Sequence, residues 1–210
     1  MKNCIVGQSG GPTTAINASL CGVIAEAAQN SAFDRVFGSL NGIEGIIDEN
    51  MVDLTPIASD GTLDLLKITP ASFLGSCRKK LPGDLNDSIY PQIFDVFEKY
   101  NIGAFFYIGG NDSMDTVGKL SAYSEKIGSA VRVIGVPKTI DNDLPTTDHT
   151  PGFGSAAKYV ASTIREIGID TSVYSLKSVT IVEIMGRDAG WLTASSSLAR
   201  CGNLTVPHLI

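Results

Sequence analysis

Two acids and an amide stand within three residues in the segment VPKTIDND, residues 136–143. The charges of Asp141 and Asp143 repel each other, so such a cluster requires solvent or a cation. An ordinary turn needs only one Asn or Asp. One carboxylate could accept a proton from an alcohol while the other coordinates Mg²⁺ or orients the first. The alternative is a solvated acidic loop without a ligand.

Lys138 precedes Asp141 by three residues and is close enough to share the same site. It could be a counter-ion for the acids. It could also, with the neighbouring backbone, hold a phosphoryl group during transfer. The segment alone leaves both interpretations open.

Two further segments, GQSGGPTTAIN (7–17) and IGGNDSMD (108–115), place glycines between an apolar run and a helical pattern. Glycines there let backbone N–H groups approach a phosphate, and the helix N-terminus adds a partial positive charge. Neither segment is a G-x-G-x-x-G or Walker A motif, so each could be only a tight strand-to-helix turn. In the second, Ser113 could cap the helix, and Asp112 would be favourable at its terminus.

Basic side chains follow two other small-residue turns. Arg187 comes after Gly186 in EIMGRDAGW (183–191), and its guanidinium could bind phosphate or carboxylate in a bidentate manner. A structural salt bridge is the commoner use of such a residue. In LGSCRKK (74–80) only Arg78 is a candidate, because lysine runs are usually solvated.

Short apolar runs alternate with longer amphipathic ones along the chain. Strands are predicted at 3–6, 35–39, 103–110, 131–137 and 178–186, and helices at 15–28, 113–127, 154–168 and 189–200. This alternation predicts an α/β fold, a doubly wound, mostly parallel sheet with helices on both faces. The less regular segment 41–99 is expected to cap the sheet ends. The loops 7–14, 109–115, 137–143 and 185–188 would all follow strands, at the edge where such sheets bind ligands.

Composition restricts the function classes. The chain of 210 residues has a net charge of −6, which argues against non-specific nucleic-acid binding. Its four cysteines lack metal-ligand spacing and two of them lie in apolar contexts, so we expect small buried thiols rather than a redox role. The presence of only two histidines argues against a His-rich metal site. No segment reads as a signal peptide or membrane span, so a soluble, cytoplasmic protein is expected.

The segments SGGPTTAIN, GGNDS, PKTIDND and MGRDAGW, in this order and together with FLGSCR, resemble the phosphofructokinases over essentially the whole chain. The resemblance implies phosphorylation of fructose 6-phosphate at its 1-hydroxyl. It implies that Asp141 is the general base, that Asp143 acts beside it near Mg²⁺, and that Thr139 contacts sugar and phosphoryl group.

By the same resemblance, the remaining ligand contacts are shared between two sets of residues. Met185, Gly186 and Arg187 would hold the sugar phosphate. Gly10, Gly11 and Ser113 would bind the donor phosphates, and Arg78 would bridge donor and acceptor.

Lys138 and Asp112 resemble the pyrophosphate-dependent members, since ATP-using relatives usually have Gly at both positions. A carboxylate about 4 Å from an α-phosphate would repel ATP by ~1–4 kcal/mol, roughly 5- to 10³-fold. Pyrophosphate lacks the third phosphate, and Lys138 could neutralise the leaving phosphate. An ATP-dependent enzyme remains the nearer alternative.

Two departures from the family pattern qualify these expectations. Asn111 stands where most relatives have an acidic Mg²⁺ contact, so Asp112, Asp143 or water would share the coordination. Relatives are also longer, so part of the second domain and its sugar-phosphate contacts are expected to be missing from residues 1–210. A non-catalytic phosphate-binding module is therefore a second hypothesis, and a dinucleotide-dependent oxidoreductase a distant third. The family favours a homo-oligomer, a dimer or a tetramer.

Overall fold

The computed structural model of the chain describes residues 1–13 and 15–210. Thr14, part of the predicted loop 7–14, lies outside the described residues. The chain divides into two compact units, Met1–Lys138 and Thr139–Ile210.

The first unit is built on a sheet whose strands are β1 Lys2–Gln8, β2 Phe33–Ser39, β3 Met51–Asp53, β4 Ile102–Gly109 and β5 Arg132–Pro137. Their order in the sheet is β3-β2-β1-β4-β5. All neighbouring strands are parallel except β2 and β3, which are antiparallel. The predicted mostly parallel sheet is confirmed.

The helices of this unit are α1 Ile16–Gln29, α2 Ile43–Ile47, α3 Thr62–Ile68, α4 Ile89–Lys99 and α5 Asn111–Lys126, with a 3₁₀ turn at Thr55–Ala58. The second unit contains α6 Phe153–Ser172, α7 Trp191–Ser195 and a 3₁₀ turn at Ser196–Ala199.

Alternate residues of β1 face opposite sides of the sheet, as the two-residue strand period requires. Cys4 and Val6 lie in a core cluster with residues of α1 and α3, whereas Ile5 lies in a second cluster with residues of α2, α4 and α5. All three side chains have no exposed area. Helices therefore cover both faces of the sheet, as the sequence predicts.

The chain reverses its direction of winding at β1, which has β2 on one side and β4 on the other. In open α/β sheets, the loops that leave such a switch point diverge and form a ligand crevice. The loops that follow β1 and β4 hold Gly10, Gly11 and the start of α5. The predicted loops at 7–14, 109–115 and 137–143 all begin at the ends of strands.

The predicted strand at 178–186 is wrong. These residues form neither strand nor helix, and Val179 and Ile181 are 90% and 91% exposed. A strand is stabilised by a hydrogen-bonded neighbour. Among the described residues, no backbone hydrogen bond joins 178–185 to another segment. The apolar residues that suggested a buried strand therefore remain unburied.

Two other expectations need correction. The helix predicted over 189–200 is shorter, since α7 ends at Ser195 and continues only as the 3₁₀ turn. The segment 41–99 is more regular than expected, because it contains β3 and three helices. Its Tyr90 and Phe97 are fully buried, so part of this segment forms the core rather than a cap on the sheet ends.

Within residues 1–13 and 15–210, no helix is both long and apolar enough to cross a bilayer.

Candidate active site

The glycine-rich loop after β1 turns sharply at Gly10, whose φ is +79°. This left-handed conformation is readily adopted by glycine and strains other residues. Both backbone polar groups of Gly10 are hydrogen-bonded to residues 76 and 77. The Gly10 N–H donates to the Cys77 carbonyl at 3.3 Å, and the Gly10 carbonyl accepts from Ser76 Oγ at 2.5 Å. Gly11, the next residue, is exposed. The backbone at Gly11 is therefore exposed, and the hydrogen bonds of Gly10 hold the turn in place.

Lys138 is hydrogen-bonded to the loop after β1 and to the last residue of β4. Its N–H donates to the Gly109 carbonyl at 2.9 Å, and its ammonium group donates to the Gly11 carbonyl. The residue is only 6% exposed. A Cβ at Gly10 would lie 3.4 Å from Lys138 Nζ, so the cation is adjacent to the turn. This arrangement brings together Gly10, Gly11 and Lys138, three predicted donor-binding residues.

The start of α5 carries three further predicted residues, of which Asn111 and Asp112 are exposed. Asp112 lies in the first turn, where the positive end of the helix favours a carboxylate, as predicted. The predicted capping by Ser113 is wrong: the N-cap is Gly110, and no side chain caps this end. Ser113 instead lies inside the helix and is 3% exposed. A side chain at Gly109 would collide with Ser113, so the helix packs closely on the end of β4.

Asp112 also makes an ion pair that the sequence did not suggest. Its Oδ1 lies 3.1 Å from Lys80 Nζ, and the two side chains are 72% and 69% exposed. The sequence predicts a solvated lysine run at 79–80, and Lys80 is exposed, but its ammonium group contacts a candidate site residue. Its nearness to Arg78 along the chain was the one available signal.

Arg78 follows directly on the residue that supports the glycine turn. The Cys77 carbonyl accepts from Ser9 Oγ at 3.2 Å as well as from Gly10 N–H. Because Cys77 is hydrogen-bonded to the turn, the backbone of the next residue, Arg78, is held close to the turn as well. Its side chain is exposed and makes no ion pair within the described part of the chain. The predicted bridging role of Arg78 stays a prediction.

In the second unit, Asn142 closes the acidic loop. Its Nδ2 donates to the Asp148 carbonyl at 3.1 Å, and its Oδ1 accepts from the Thr150 N–H at 2.8 Å. Its φ of +59° is one that Asn tolerates better than most residues. The preceding Asp141 donates its N–H to Thr139 Oγ1 at 3.1 Å. Asn142 thus has a structural role, while the acids on either side of it are positioned by the backbone.

Asp141 and Asp143 each have one buried carboxylate oxygen, Oδ1, with no hydrogen-bond partner among the described residues. Asp141 as a whole is 9% exposed. A buried carboxylate oxygen is costly unless it is paired, and it gains stability from a proton, a hydroxyl donor or a cation. These two oxygens therefore fit the chemistry of a general base and of a Mg²⁺ ligand.

Among the described residues, the acidic loop included, no group of three or more His, Cys, Asp or Glu side chains could hold a metal ion. This finding leaves open a Mg²⁺ ion held by one or two carboxylates and by substrate phosphates, the usual arrangement for that ion. Of the two predicted metal ligands, Asp143 has the unpartnered oxygen, and Asn111 is an exposed residue of the first unit.

The predicted sugar-phosphate residues lie in a turn rather than at a strand end. Met185 is 68% exposed, Gly186 is buried, and Arg187 is exposed with φ of +50°. Positive φ is uncommon for Arg, and such strain is concentrated at functional sites. Within residues 1–13 and 15–210, no hydrogen bond or ion pair of the Arg187 side chain fixes its direction.

The chain matches a family model, Phosphofructokinase, over residues 3–207. The chain belongs to the phosphofructokinase family. A pyrophosphate–fructose 6-phosphate 1-phosphotransferase of Methylococcus capsulatus is 44% identical over 202 residues, which are 94% of this chain and 48% of the relative. One of Halomonas elongata is 43% identical over 212 residues, covering 99% of this chain and 50% of the relative.

Solved structures give the same result for the fold. A pyrophosphate-dependent phosphofructokinase from Marinobacter aquaeolei superposes with a TM-score of 0.87 at 42% identity, covering 100% of this chain and 52% of that one. This phosphofructokinase-family chain therefore spans about half the length of the curated relatives it matches.

Proposed function

We propose that the protein transfers a phosphoryl group from pyrophosphate to the 1-hydroxyl of fructose 6-phosphate, giving fructose 1,6-bisphosphate and phosphate, in a reversible reaction. The observation that carries this proposal is the lysine held at the glycine turn: Lys138 is buried and bonded to Gly11 and Gly109. A fixed cation beside backbone N–H groups suits a compact donor with no nucleoside to anchor. The names of the relatives at 43–44% identity support the same donor and acceptor.

In the proposed reaction, Asp141 accepts the proton of the sugar hydroxyl. The hydroxyl oxygen forms a bond to phosphorus, the phosphoanhydride bond breaks, and phosphate leaves with the electron pair. Most of the rate enhancement in such transfers comes from positioning and from charge on the protein. The buried oxygen of Asp141, which has no hydrogen-bond partner among the described residues, supports its role as base, because it is available to accept a hydrogen bond from the sugar hydroxyl.

Lys138, Arg78 and the backbone of the turn at Gly10 and Gly11 stabilise the charge on the donor. Asp112 and Ser113 line the start of α5 on the donor side. Thr139 contacts the sugar and the phosphoryl group.

On the acceptor side, Met185, Gly186 and Arg187 hold the sugar phosphate. Asp143 and Asn111, together with the phosphates, would hold Mg²⁺, which would supply further charge neutralisation. Residues 1–210 form the donor-binding and catalytic region, and the protein acts in the cytoplasm as a homo-oligomer.

The proposal is tested by measuring fructose 1,6-bisphosphate formation with pyrophosphate and with ATP in parallel, on the parent chain and on Asp141→Asn. We expect turnover with pyrophosphate, and a decrease of about 10²- to 10⁴-fold in the variant. Asp170→Asn, an exposed carboxylate of α6, is the matched control and should retain the parent rate. A higher rate with ATP would show that the donor is wrong, and binding of pyrophosphate without turnover would favour a binding module.

A further inference from the structure

Two amide side chains at the base of the glycine loop have no exposed surface and lie outside the proposed chemistry. Gln8 is the last residue of β1, and Asn17 is the second residue of α1. Both are 0% exposed. Gln8 Nε2 donates to Asn17 Oδ1 at 3.0 Å and to the Ile16 carbonyl at 3.3 Å. The pair thus joins the strand to the helix across the glycine loop.

The same pair also holds residues 69–78, which we name the arginine loop because it ends at Arg78. Gln8 Oε1 accepts from the Leu74 N–H at 2.8 Å and from Ser72 Oγ at 3.1 Å. Asn17 Oδ1 accepts from the Phe73 N–H at 3.0 Å, and Asn17 Nδ2 donates to the Thr69 carbonyl at 2.9 Å. All four hydrogen-bonding positions of the Gln8 amide are therefore used.

The far end of the arginine loop is bonded to the glycine turn itself. Ser76 Oγ donates to the Gly10 carbonyl at 2.5 Å, and Ser9 Oγ donates to the Cys77 carbonyl at 3.2 Å. Arg78 is the next residue along the chain. The irregular arginine loop, which has little secondary structure of its own, is therefore fixed at both ends to the loop proposed to bind the donor.

We propose that Gln8 and Asn17 are positioning residues that set the place of Arg78 relative to the Gly10–Gly11 turn. This inference rests on the proposed function, in which Arg78 acts on the transferring group. A buried amide that lacks its partners is costly, so the loop has one arrangement that satisfies all of these groups. A displacement of about 1 Å at a catalytic group can cost about 10² in rate. The pair therefore acts on catalysis through Arg78, without touching substrate.

The first test is hydrogen exchange of the Phe73 and Leu74 amides, the two N–H groups that bond to the pair. In Asn17→Ala we expect both amides to exchange about tenfold faster or more, because buried bonds are lost and their partners are unsatisfied. Asn3→Ala is the matched control: Asn3 lies on the same strand as Gln8, and its side chain bonds to the Tyr100 carbonyl and the Arg35 N–H. It should leave the two amides unchanged. Unchanged exchange in Asn17→Ala, or equal acceleration in both variants, would overturn the proposal.

The second test separates positioning from general destabilisation. Asn17→Ala should lower kcat for pyrophosphate by about tenfold or more and change KM less. In an Arg78→Lys background the same substitution should have little further effect on kcat. A purely structural role predicts the same loss in both backgrounds, and that result would refute the inference.

A third variant covers the case in which Asn17→Ala fails to fold. Ser72→Ala removes one bond to Gln8 Oε1, together with the bond from Ser72 Oγ to the Gly75 carbonyl at 2.8 Å. It should show smaller changes in the same direction, and no change would refute the inference. If the parent chain itself gave no turnover with pyrophosphate, the proposed function would fail. The exchange experiment would still decide whether the pair holds the loop.

Discussion

Replacing Lys138 with Met would remove a cation whose position the structure fixes at two points. The backbone N–H bonds to Gly109 and the ammonium bonds to Gly11, with 6% of the residue exposed. Met keeps the length and the apolar stem of the side chain. The substitution therefore removes the charge and the donors while changing the packing little.

Two estimates of the kinetic loss agree. A unit charge about 4 Å from a phosphate oxygen, at an effective dielectric constant of about 20, contributes ~4 kcal/mol. Removing one donor from a preorganised anion site costs about 2.7–4 kcal/mol. We therefore expect kcat/KM for pyrophosphate to fall by about 10²- to 10³-fold. The loss in unfolding free energy should be smaller, about 1–2 kcal/mol, because the Gly11 carbonyl is exposed and can bond to water instead.

The assay measures kcat/KM for pyrophosphate at saturating fructose 6-phosphate, and unfolding free energy by urea titration. Lys119→Met is the matched control, since Lys119 also donates to a backbone carbonyl, that of Leu81 at 2.9 Å, and to Asp115 at 2.7 Å. It should lose similar stability and keep kcat/KM within about threefold. If Lys138→Met also stays within about threefold of the parent, the lysine only fastens the loops and our reasoning is wrong.

Three other predictions follow from single contacts. Asp112→Gly removes the carboxylate beside Lys80 and should raise the ATP-to-pyrophosphate ratio of kcat/KM by about 5- to 10³-fold, and an unchanged ratio in parallel donor assays would contradict this. Gly10→Ala should lower unfolding free energy by about 1–2 kcal/mol in urea titration because of its φ of +79°, whereas Gly83→Ala, in open space, should not. Burial raises the pKa of the Cys4 thiol to about 11, so Cys4 should react with maleimide more slowly than the exposed Cys201. Peptide mapping after brief maleimide treatment measures this, and equal labelling of the two thiols would argue against the burial of Cys4.

The central strands of the sheet could be predicted because they are buried on both faces and therefore appear as continuous apolar runs. The runs at 3–6 and 103–110 correspond to β1 and β4, whereas the run at 131–137 corresponds to β5, an edge strand that is partly exposed. Glycines and helical periodicity after the first two runs indicated which ends bear loops. The part of the site supported by those strand ends was accordingly predictable from local pattern.

The helix α4 was missed although its pattern was present. Tyr90, Ile93, Phe94 and Phe97 recur at helical spacing, and all four are buried. Pro91 lies within this pattern, and a proline in the interior of a helix would break it. It stands at the third helical position, where proline is tolerated because its missing N–H would have no partner within the helix.

The strand prediction for residues 178–186 was wrong for a different reason. Its valines and isoleucines have strand propensity, but propensity describes how a side chain fits a pleated, half-buried surface that must be supplied by other residues. In the described chain, nothing pairs with this backbone, and β5 is the outermost strand of the sheet. Local sequence indicates which secondary structure a segment prefers, but a strand forms only where a neighbouring strand supplies hydrogen-bond partners.

Gln8 and Asn17 had no signal in the sequence, because a polar residue at a strand end or in a first helical turn is ordinary. Their importance arises only when the chain returns at Thr69–Leu74 and supplies the complementary groups. These hydrogen bonds join residues 52 to 66 positions apart. Contacts at such separation depend on the tertiary fold, which no local pattern contains.

The ion pair between Lys80 and Asp112 bears on the expected choice of donor. A lysine next to the carboxylate could cancel its repulsion of ATP. The pair is exposed on both sides, and such pairs contribute about 0.2–1 kcal/mol. That is at or below the lower end of the ~1–4 kcal/mol of repulsion expected between Asp112 and a third phosphate. The helix terminus favours a negative charge there by about a further 0.3–1 kcal/mol. Lys80 and the helix terminus therefore help to hold the Asp112 side chain in place, and donor choice should depend on the carboxylate rather than on the lysine beside it.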